Sequence, residues 1–232
     1  MVPDILLYIG AGENEELRYA LRTWVKYLKF NRLIVVGGPK PKWFYPDIYI
    51  ENPVRYGKMR QCYDDLVKAL KTPDLTDEII LMMDDIFLLA PCNSWKINYN
   101  RGTLKRQWER SLRNHGATSY NQIVKNTYLE LIKTFPDPLS FEEHAPFRCD
   151  KKKLLAILEE YGPERMDNLL YRSIYGNRYC NSSAYKKDLK LTTMRMVVPK
   201  DALLFSTDSL SFRGNAGSYV KFNFPKKSRY ER

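Results

Sequence analysis

The residues best suited to chemistry are two adjacent carboxylates, Asp84 and Asp85, which follow the apolar run 79–83 and precede Ile86. Carboxylates are rarely buried without a partner, and Mg²⁺ or Mn²⁺ is commonly bound by one or two of them together with substrate phosphates. Such a cation would neutralise a diphosphate leaving group. The alternative is a solvated acidic turn or a helix cap, but the apolar residues after the pair favour a metal site.

A basic turn precedes the acidic pair along the chain. Gly57 is followed by Lys58 and Arg60 at the start of a predicted helix over 58–71. A helix N-terminus favours phosphate, and Lys or Arg adds charge-assisted hydrogen bonds. The GxxxxGK[ST] pattern of a P-loop is absent. We therefore predict that Lys58 and Arg60 contact a diphosphate or its sugar, the alternative being that both face water.

Alternating strands and helices must position these groups. Apolar runs predict buried strands and amphipathic segments predict helices: strands at 5–9, 32–38, 47–50 and 78–83, helices at 14–28 and 58–71. In the first helix Leu17, Leu21, Trp24, Val25 and Leu28 form the predicted inner face. Short crossovers imply parallel strands, and ligands bind at the carboxyl ends of such strands. The prediction is an α/β fold with a mostly parallel, Rossmann-like central sheet.

The second half of the chain is predicted to be more helical. Segment 101–134 has helical character with a break near Gly116, and 150–161 is amphipathic with Asp150 as its N-cap. The C-terminal stretch 226–232 is basic, and we expect it to be frayed.

These segments together resemble two families of transferases. A glycine-basic helix start, an amphipathic helix and an apolar strand ending in acids resemble the nucleotide-sugar half of GT-A-fold glycosyltransferases. The stretch from 14–22 (NEELRYALR) through 83–87 (MDDIF) also looks like the central part of Stealth-type sugar-phosphate transferases, as do 41–43 (PKW) and 142–147 (EEHAPF). The resemblance covers roughly the first 90 residues well and about 20 later residues loosely.

The resemblance implies one GT-A-like domain over 1–232, with a nucleotide-sugar-binding half at 1–92 and an acceptor half at 93–232. It implies that Asp84 and Asp85 hold Mn²⁺ or Mg²⁺, that Asp84 also contacts the donor, and that Ile9 and Gly10 frame the nucleotide. The usual family motif is Asp-x-Asp, whereas Met83 stands where a first acid is expected. Asp84 and Asp85 are therefore the only local ligands.

Histidine is rare, and one of the two histidines lies in an acidic cluster. His115 stands apart, whereas His144 directly follows Glu142 and Glu143. The resemblance implies that His144 completes the metal site or acts as a base. A general base must lie within hydrogen-bond reach of the acceptor hydroxyl. Glu142, Glu143 and Asp208 are the catalytic candidates, and the alternative for each is a surface acid or a helix cap.

Positive charge dominates the predicted acceptor half. The chain has 38 Lys and Arg against 27 Asp and Glu, a formal net charge of +11. Tyrosines are interleaved there with basic residues. The basic residues are Arg101, Lys105, Arg106, Arg110, Arg113, Lys151–Lys153, Lys186, Lys187, Lys190 and those of 221–232, and the tyrosines are Tyr120, Tyr128, Tyr171, Tyr175, Tyr179 and Tyr185. This composition suits a polyanionic acceptor. One hypothesis is a hydroxymethylated DNA base of the kind that some bacteriophages make, which the enzyme would flip out of the duplex. Teichoic acid, a phosphorylated glycan and a protein are alternatives.

Several other classes are disfavoured. The chain lacks GxSxG, and Gly10-Ala11-Gly12 lacks the full GxGxxG pattern of dinucleotide-binding enzymes. No CxxC pair or apolar run of transmembrane length occurs, so we expect a cytoplasmic protein, in the host cytoplasm if phage-encoded. The sequence thus predicts a metal-dependent glycosyltransferase with a nucleotide diphosphate sugar donor. A Stealth-type sugar-1-phosphate transferase and a non-catalytic nucleic-acid-binding protein are the alternatives; oligomeric state and stereochemistry stay open.

Overall fold

A computed structural model describes residues 2–53, 55–92, 98–181, 183–185 and 190–232. The strands in that part of the chain are β1 (Asp4–Ile9), β2 (Leu33–Gly37), β3 (Ile48–Glu51), β4 (Glu78–Met82), β5 (Ile86–Leu88), β6 (Asn98–Asn100), β7 (Phe147–Asp150), β8 (Ser183–Tyr185) and β9 (Leu204–Ser206). The helices are α1 (Glu15–Tyr27), α2 (Lys58–Leu70), α3 (Leu104–His115), α4 (Ser119–Leu131), α5 (Lys151–Met166), α6 (Tyr171–Tyr179), α7 (Ser209–Phe212) and α8 (Asn215–Asn223).

The central sheet has five strands in the order β3-β2-β1-β4-β7. The first four are parallel, and β7 joins the edge antiparallel to β4. Ile9 pairs with Gly37, and Leu7 pairs with Met82. The carboxyl ends of β1 and β4 therefore lie side by side, which confirms the predicted α/β fold with a mostly parallel sheet.

Both faces of this sheet are covered, as a parallel sheet requires. Ile5 and Leu7 of β1 pack with α1 residues such as Trp24 on one face. Leu6 packs with Leu66 of α2 and with α5 on the other face. The predicted inner face of α1 is confirmed with one correction: Val25 is 42% exposed, because it lies beside the buried stripe rather than in it.

A short antiparallel pair fixes the chain directly after the acidic pair. Strand β5 pairs with β9, and Phe87 stacks on Phe205 with ring centroids 5.0 Å apart. The Trp24 indole Nε1 donates to the Ile86 carbonyl oxygen at 2.7 Å. These contacts explain the apolar run after Asp85: it is a second buried strand, and it holds the acidic turn against the sheet.

The helical prediction for the second half is confirmed at its main points. Helices α3 and α4 are separated at Gly116, which has φ +69°. Asp150 caps α5 by accepting from the Lys153 backbone N–H at 2.9 Å. Among the described residues, no helix is long and apolar enough to span a bilayer.

The C-terminal segment is not frayed, so that prediction was wrong. Tyr230 is 2% exposed, and Phe44 forms an isolated β-bridge with Glu231. Glu231 also receives two hydrogen bonds from Arg22 of α1, at 2.9 and 2.7 Å. The basic composition of the segment gave no sign of this anchor, because its three buried residues, Ser228, Tyr230 and Glu231, lie among exposed basic ones.

Candidate active site

A cavity of about 450 Å³ opens at the carboxyl edge of the parallel strands. We call it the edge cavity. Its lining includes six residues predicted from sequence: Ile9, Gly10, Lys58, Asp84, Asp85 and His144. Since ligands of open parallel sheets bind at this edge, the cavity is the natural candidate site.

Asp84, in the turn after β4, lines both the edge cavity and a second cavity beside it. The Asp84 carboxylate accepts a hydrogen bond from the Asn14 side-chain amide, whose own oxygen caps α1 through the Leu17 N–H at 2.9 Å. Burial, followed by the charge of Asp85, raises the pKa of Asp84 above its ordinary value. A bound cation would stabilise the ionised form of this carboxylate by neutralising its charge.

Asp85 faces two cationic or potentially cationic groups. Its Oδ2 atom lies 3.3 Å from the Lys190 Nζ atom and 3.9 Å from His144 Nε2. The Lys190 ammonium also lies 3.4 Å from His144 Nε2. The other oxygen, Asp85 Oδ1, is buried and has no hydrogen-bond partner among the described residues. Asp85 therefore has one paired oxygen and one oxygen available to a ligand.

Glu16 joins this acidic group from the first turn of α1. Its Oε1 atom accepts from the Thr207 hydroxyl at 2.6 Å. Burial, together with the charges of Asp84 and Asp85, raises the pKa of Glu16. Glu16 and Asp84 both line a second cavity of about 420 Å³ beside the edge cavity. Carboxylates with raised pKa values in a cleft are typical of functional sites.

Lys58 and Arg60 have different positions. Lys58 lines the edge cavity in the first turn of α2, where Gly57 makes no side-chain cap and a Cβ at Gly57 would meet open space. Arg60 instead pairs with Asp64 at 3.5 Å and lies over the Tyr56 ring at 5.2 Å. The structure thus brings Lys58, and not Arg60, to the carboxylates.

The loop after β1 forms the opposite wall of the edge cavity. Ile9 and Gly10 both line it. Gly37, the neighbour of Ile9 in the sheet, has φ +138°, and a Cβ there would overlap the Ile9 carbonyl oxygen. Only glycine permits this close approach at the end of β2.

The three catalytic candidates, Glu142, Glu143 and Asp208, all make hydrogen bonds or ion pairs that stabilise the fold. The Glu142 Oε1 atom accepts from the Ser173 N–H at 3.1 Å and from its hydroxyl at 2.8 Å. Glu143 is 2% exposed and pairs with Arg101 at 3.3 Å. Neither residue lines the edge cavity. Of the three residues 142–144, only His144 lines it.

Asp208 caps α7. Its Oδ1 atom accepts from the Leu210 N–H at 3.1 Å and the Ser211 N–H at 2.8 Å. Burial would raise the pKa of Asp208, but the Ser211 and Leu210 hydrogen bonds outweigh it and lower the pKa. A carboxylate held ionised by a helix start is suited to capping rather than to accepting a proton.

A polar network lies farther along the edge cavity. Asp65, 2% exposed, accepts from the Asn52 amide at 2.7 Å and from the Gln61 amide at 3.0 Å. Tyr8 and Tyr56 line the same cavity and supply aromatic surface. Burial raises the pKa of the neighbouring Cys62 thiol to about 12, so this cysteine is not a nucleophile at neutral pH.

The donor atoms fit a cation that is shared with a substrate. Among residues that the structure describes, no three His, Cys, Asp or Glu side chains form a complete metal-binding group. Asp84 and Asp85 nevertheless lie together, and Asp85 has its unpartnered buried oxygen. Mg²⁺ and Mn²⁺ need only one or two carboxylates when phosphates supply the other ligands. The pair therefore suits a cation that binds together with a diphosphate.

Comparison with known proteins gives the fold. No family model and no curated protein matches this sequence. The structure of the galactosyltransferase LgtC in complex with donor and acceptor sugar analogues is similar, with a TM-score of 0.53 and 10% identity over 97% of this chain and 98% of that chain. The chain has a GT-A-like fold. A structure of an LgtC active-site mutant is also similar, with a TM-score of 0.49 and 11% identity over 88% of this chain and 86% of that chain.

The GT-A resemblance of the sequence is thus confirmed at the level of fold. At this identity the likeness carries no residue roles, and the Stealth and bacteriophage hypotheses stay predictions. The residues that sequence reasoning missed are Tyr8, Glu16, Asp65 and Lys190. Lys190 carried no local signal, since it is 105 positions from the Asp85 that it contacts.

Proposed function

We propose that this chain is a metal-dependent glycosyltransferase that moves a sugar from a nucleotide diphosphate sugar to a hydroxyl acceptor. The observation that carries the proposal is the carboxylate pair Asp84–Asp85 in a cavity at the carboxyl edge of a GT-A-like sheet, facing Lys58 and Lys190. Carboxylates and lysines in one cavity provide both signs of charge that a metal diphosphate needs.

In this proposal Asp84 and Asp85 hold Mn²⁺ or Mg²⁺ together with the donor phosphates, and His144, 3.9 Å from Asp85 Oδ2, borders the pair. The cation, when bound, supplies electrostatic stabilisation to the departing diphosphate. Asn14 orients Asp84 by donating to its carboxylate. The β5–β9 pair keeps Asp85 at the sheet edge, since the Thr207 N–H donates to the Asp85 carbonyl oxygen at 3.2 Å.

The remaining cavity residues would bind the donor. Lys58 and the open N-terminal turn of α2 suit phosphate oxygens, because the helix end presents unpaired N–H groups. Ile9 and Gly10 would frame the nucleotide, with Tyr8 and Tyr56 offering rings for stacking. The Asp65 network supplies fixed hydrogen-bonding groups for a base or ribose.

The acceptor in this proposal is polyanionic. Lys105, Arg106, Arg110 and Arg113 are exposed on α3, and the three arginines are spaced along one helical face. Such a row can follow a phosphate backbone. The interleaved tyrosines support the idea less, because Tyr175 is 5% exposed and packs in the core. Lys186 and Lys187 lie outside the described residues.

The test is incubation with a panel of nucleotide sugars and Mn²⁺, with the released nucleotide identified by chromatography. Release of a nucleoside diphosphate supports the proposal, and hydroxymethylated DNA is then the first acceptor to add. Release of a nucleoside monophosphate would instead indicate the sugar-1-phosphate transferase of the Stealth type. Absence of both release and nucleotide binding, with DNA present, would refute the enzyme proposal and leave a nucleic-acid-binding protein.

A further inference from the structure

Lys190 occupies a defined position beside the carboxylate pair. Its Nζ atom lies 3.3 Å from Asp85 Oδ2 and 3.4 Å from His144 Nε2. The side chains of Lys190 and Asp85 are 32% and 16% exposed, so the contact is partly shielded from water. The ammonium thus lies against both side chains that, with Asp84, were predicted to hold a divalent cation.

The backbone on both sides of this contact is held. Lys190 forms an isolated β-bridge with Ser206, and the Leu191 N–H donates to the Ser206 carbonyl oxygen at 2.8 Å. Ser206 in turn pairs with Ile86, the residue after Asp85. The Lys190–Asp85 contact therefore joins the residue before β5 to a segment that is itself bridged to β9.

We propose that Lys190 is the resident counter-ion of Asp85 and that a divalent cation must displace it in order to bind. An ammonium at Oδ2 neutralises the carboxylate in the absence of ligand, and it repels a cation approaching the unpartnered Oδ1. This inference rests on the proposed function only for the identity of the cation.

After displacement from Asp85, the Lys190 ammonium would have another anion to pair with. Lys190 and Lys58 both line the edge cavity, where the donor phosphates are proposed to bind. A displaced ammonium can therefore pair with phosphate oxygens in the same cavity. Cation binding without nucleotide leaves the ammonium without such an anion. Lys190 thereby favours binding of the cation and the diphosphate together over binding of the cation alone.

The test is titration of Mn²⁺ into the full chain without nucleotide, with free Mn²⁺ measured by electron paramagnetic resonance. Lys190→Met is expected to bind Mn²⁺ about tenfold more tightly than wild type, because one competing charge is removed. Lys190→Arg keeps the charge and should bind as wild type does. Lys58→Met is the matched control, since it removes a lysine from the same cavity that has no contact with Asp85; its affinity should change less than Lys190→Met.

Two results would overturn the inference. One is a Lys190→Met affinity equal to or weaker than that of wild type in protein whose circular dichroism and melting temperature show a normal fold. The other is absence of Mn²⁺ binding in every variant. The inference is separable from the proposed function. Tighter Mn²⁺ binding by Lys190→Met would support the counter-ion even if wild type neither released nor bound any nucleotide with DNA present, a result that would refute the transferase.

Discussion

Replacing Glu231 by alanine removes half of a buried ion pair between the C-terminal segment and α1. The Glu231 carboxylate accepts from Arg22 Nε at 2.9 Å and Nη2 at 2.7 Å, and the two side chains are 1% and 7% exposed. Glu231 also accepts from the Ser228 N–H at 2.8 Å. Loss of one partner of such a pair leaves an uncompensated buried charge and costs about 3–5 kcal/mol of unfolding free energy.

The melting temperature should fall accordingly. For a chain of this length each kcal/mol corresponds to about 2–4 °C, so the expected decrease is about 6–20 °C. The loss should also depend on pH. Burial would raise the pKa of Glu231, but the Arg22 and Ser228 hydrogen bonds lower it below 4.5. The carboxylate therefore stabilises the fold fully above about pH 4.5, and the difference between wild type and variant should shrink as pH falls through the lowered pKa.

The assay is thermal and urea unfolding followed by circular dichroism. Glu159→Ala is the matched control, because its partner Lys71 lies at 3.0 Å while the two side chains are 52% and 57% exposed. Exposed pairs contribute about 0–1 kcal/mol. If Glu231→Ala were no more destabilising than Glu159→Ala, the argument that this ion pair anchors the C-terminal segment to α1 would be refuted.

Three further predictions concern the sheet edge, the acidic group and α3. Gly37→Ala should destabilise by about 2–3 kcal/mol, since φ is +138° and its Cβ would overlap the Ile9 carbonyl oxygen; an unchanged urea midpoint would contradict this. Glu16→Gln should raise the melting temperature at pH 7. The pKa of Glu16 is higher in the folded than in the unfolded chain, so ionisation of Glu16 lowers the stability of the fold as pH rises between those two pKa values. The gain should vanish below about pH 4.5, where Glu16 is protonated in both states, and a gain that persists there would exclude a charge effect. Replacing Arg106, Arg110 and Arg113 by glutamine should weaken DNA binding and reduce the slope of log affinity against log salt by about 2–3, whereas an unchanged slope would remove α3 from the interface.

The parallel core was predictable because its sequence signals are local. The runs at 5–9 and 78–83 are short, apolar and closed by glycine or acids, and buried parallel strands require that pattern. The same logic placed Asp84, Asp85 and the Ile9–Gly10 loop at one edge. The order of the strands in the sheet had no signal in the sequence, and neither did β7, which adds antiparallel to β4.

The rest of the site depends on contacts between distant segments. Glu142 and Asp208 are carboxylates of the right type in the right half, yet each satisfies backbone N–H groups instead of facing the edge cavity. Lys190 reaches Asp85 only because β9 returns to pair with β5. The C-terminal segment was wrongly predicted to be frayed for a related reason. Its basic composition is typical of an exposed segment, but the buried ion pair of Arg22 with Glu231 anchors it to α1.

The central claim is metal-dependent transfer at the Asp84–Asp85 pair, and its most direct test is nucleoside diphosphate release from a nucleotide sugar with Mn²⁺ or with EDTA. Wild type, Asp85→Asn and the exposed control Asp137→Asn should be compared. We predict Mn²⁺-dependent release by wild type and Asp137→Asn, and a loss of about 100-fold or more in Asp85→Asn, since the cation stabilises the leaving group. Release that persists unchanged in EDTA or in folded Asp85→Asn would contradict the claim.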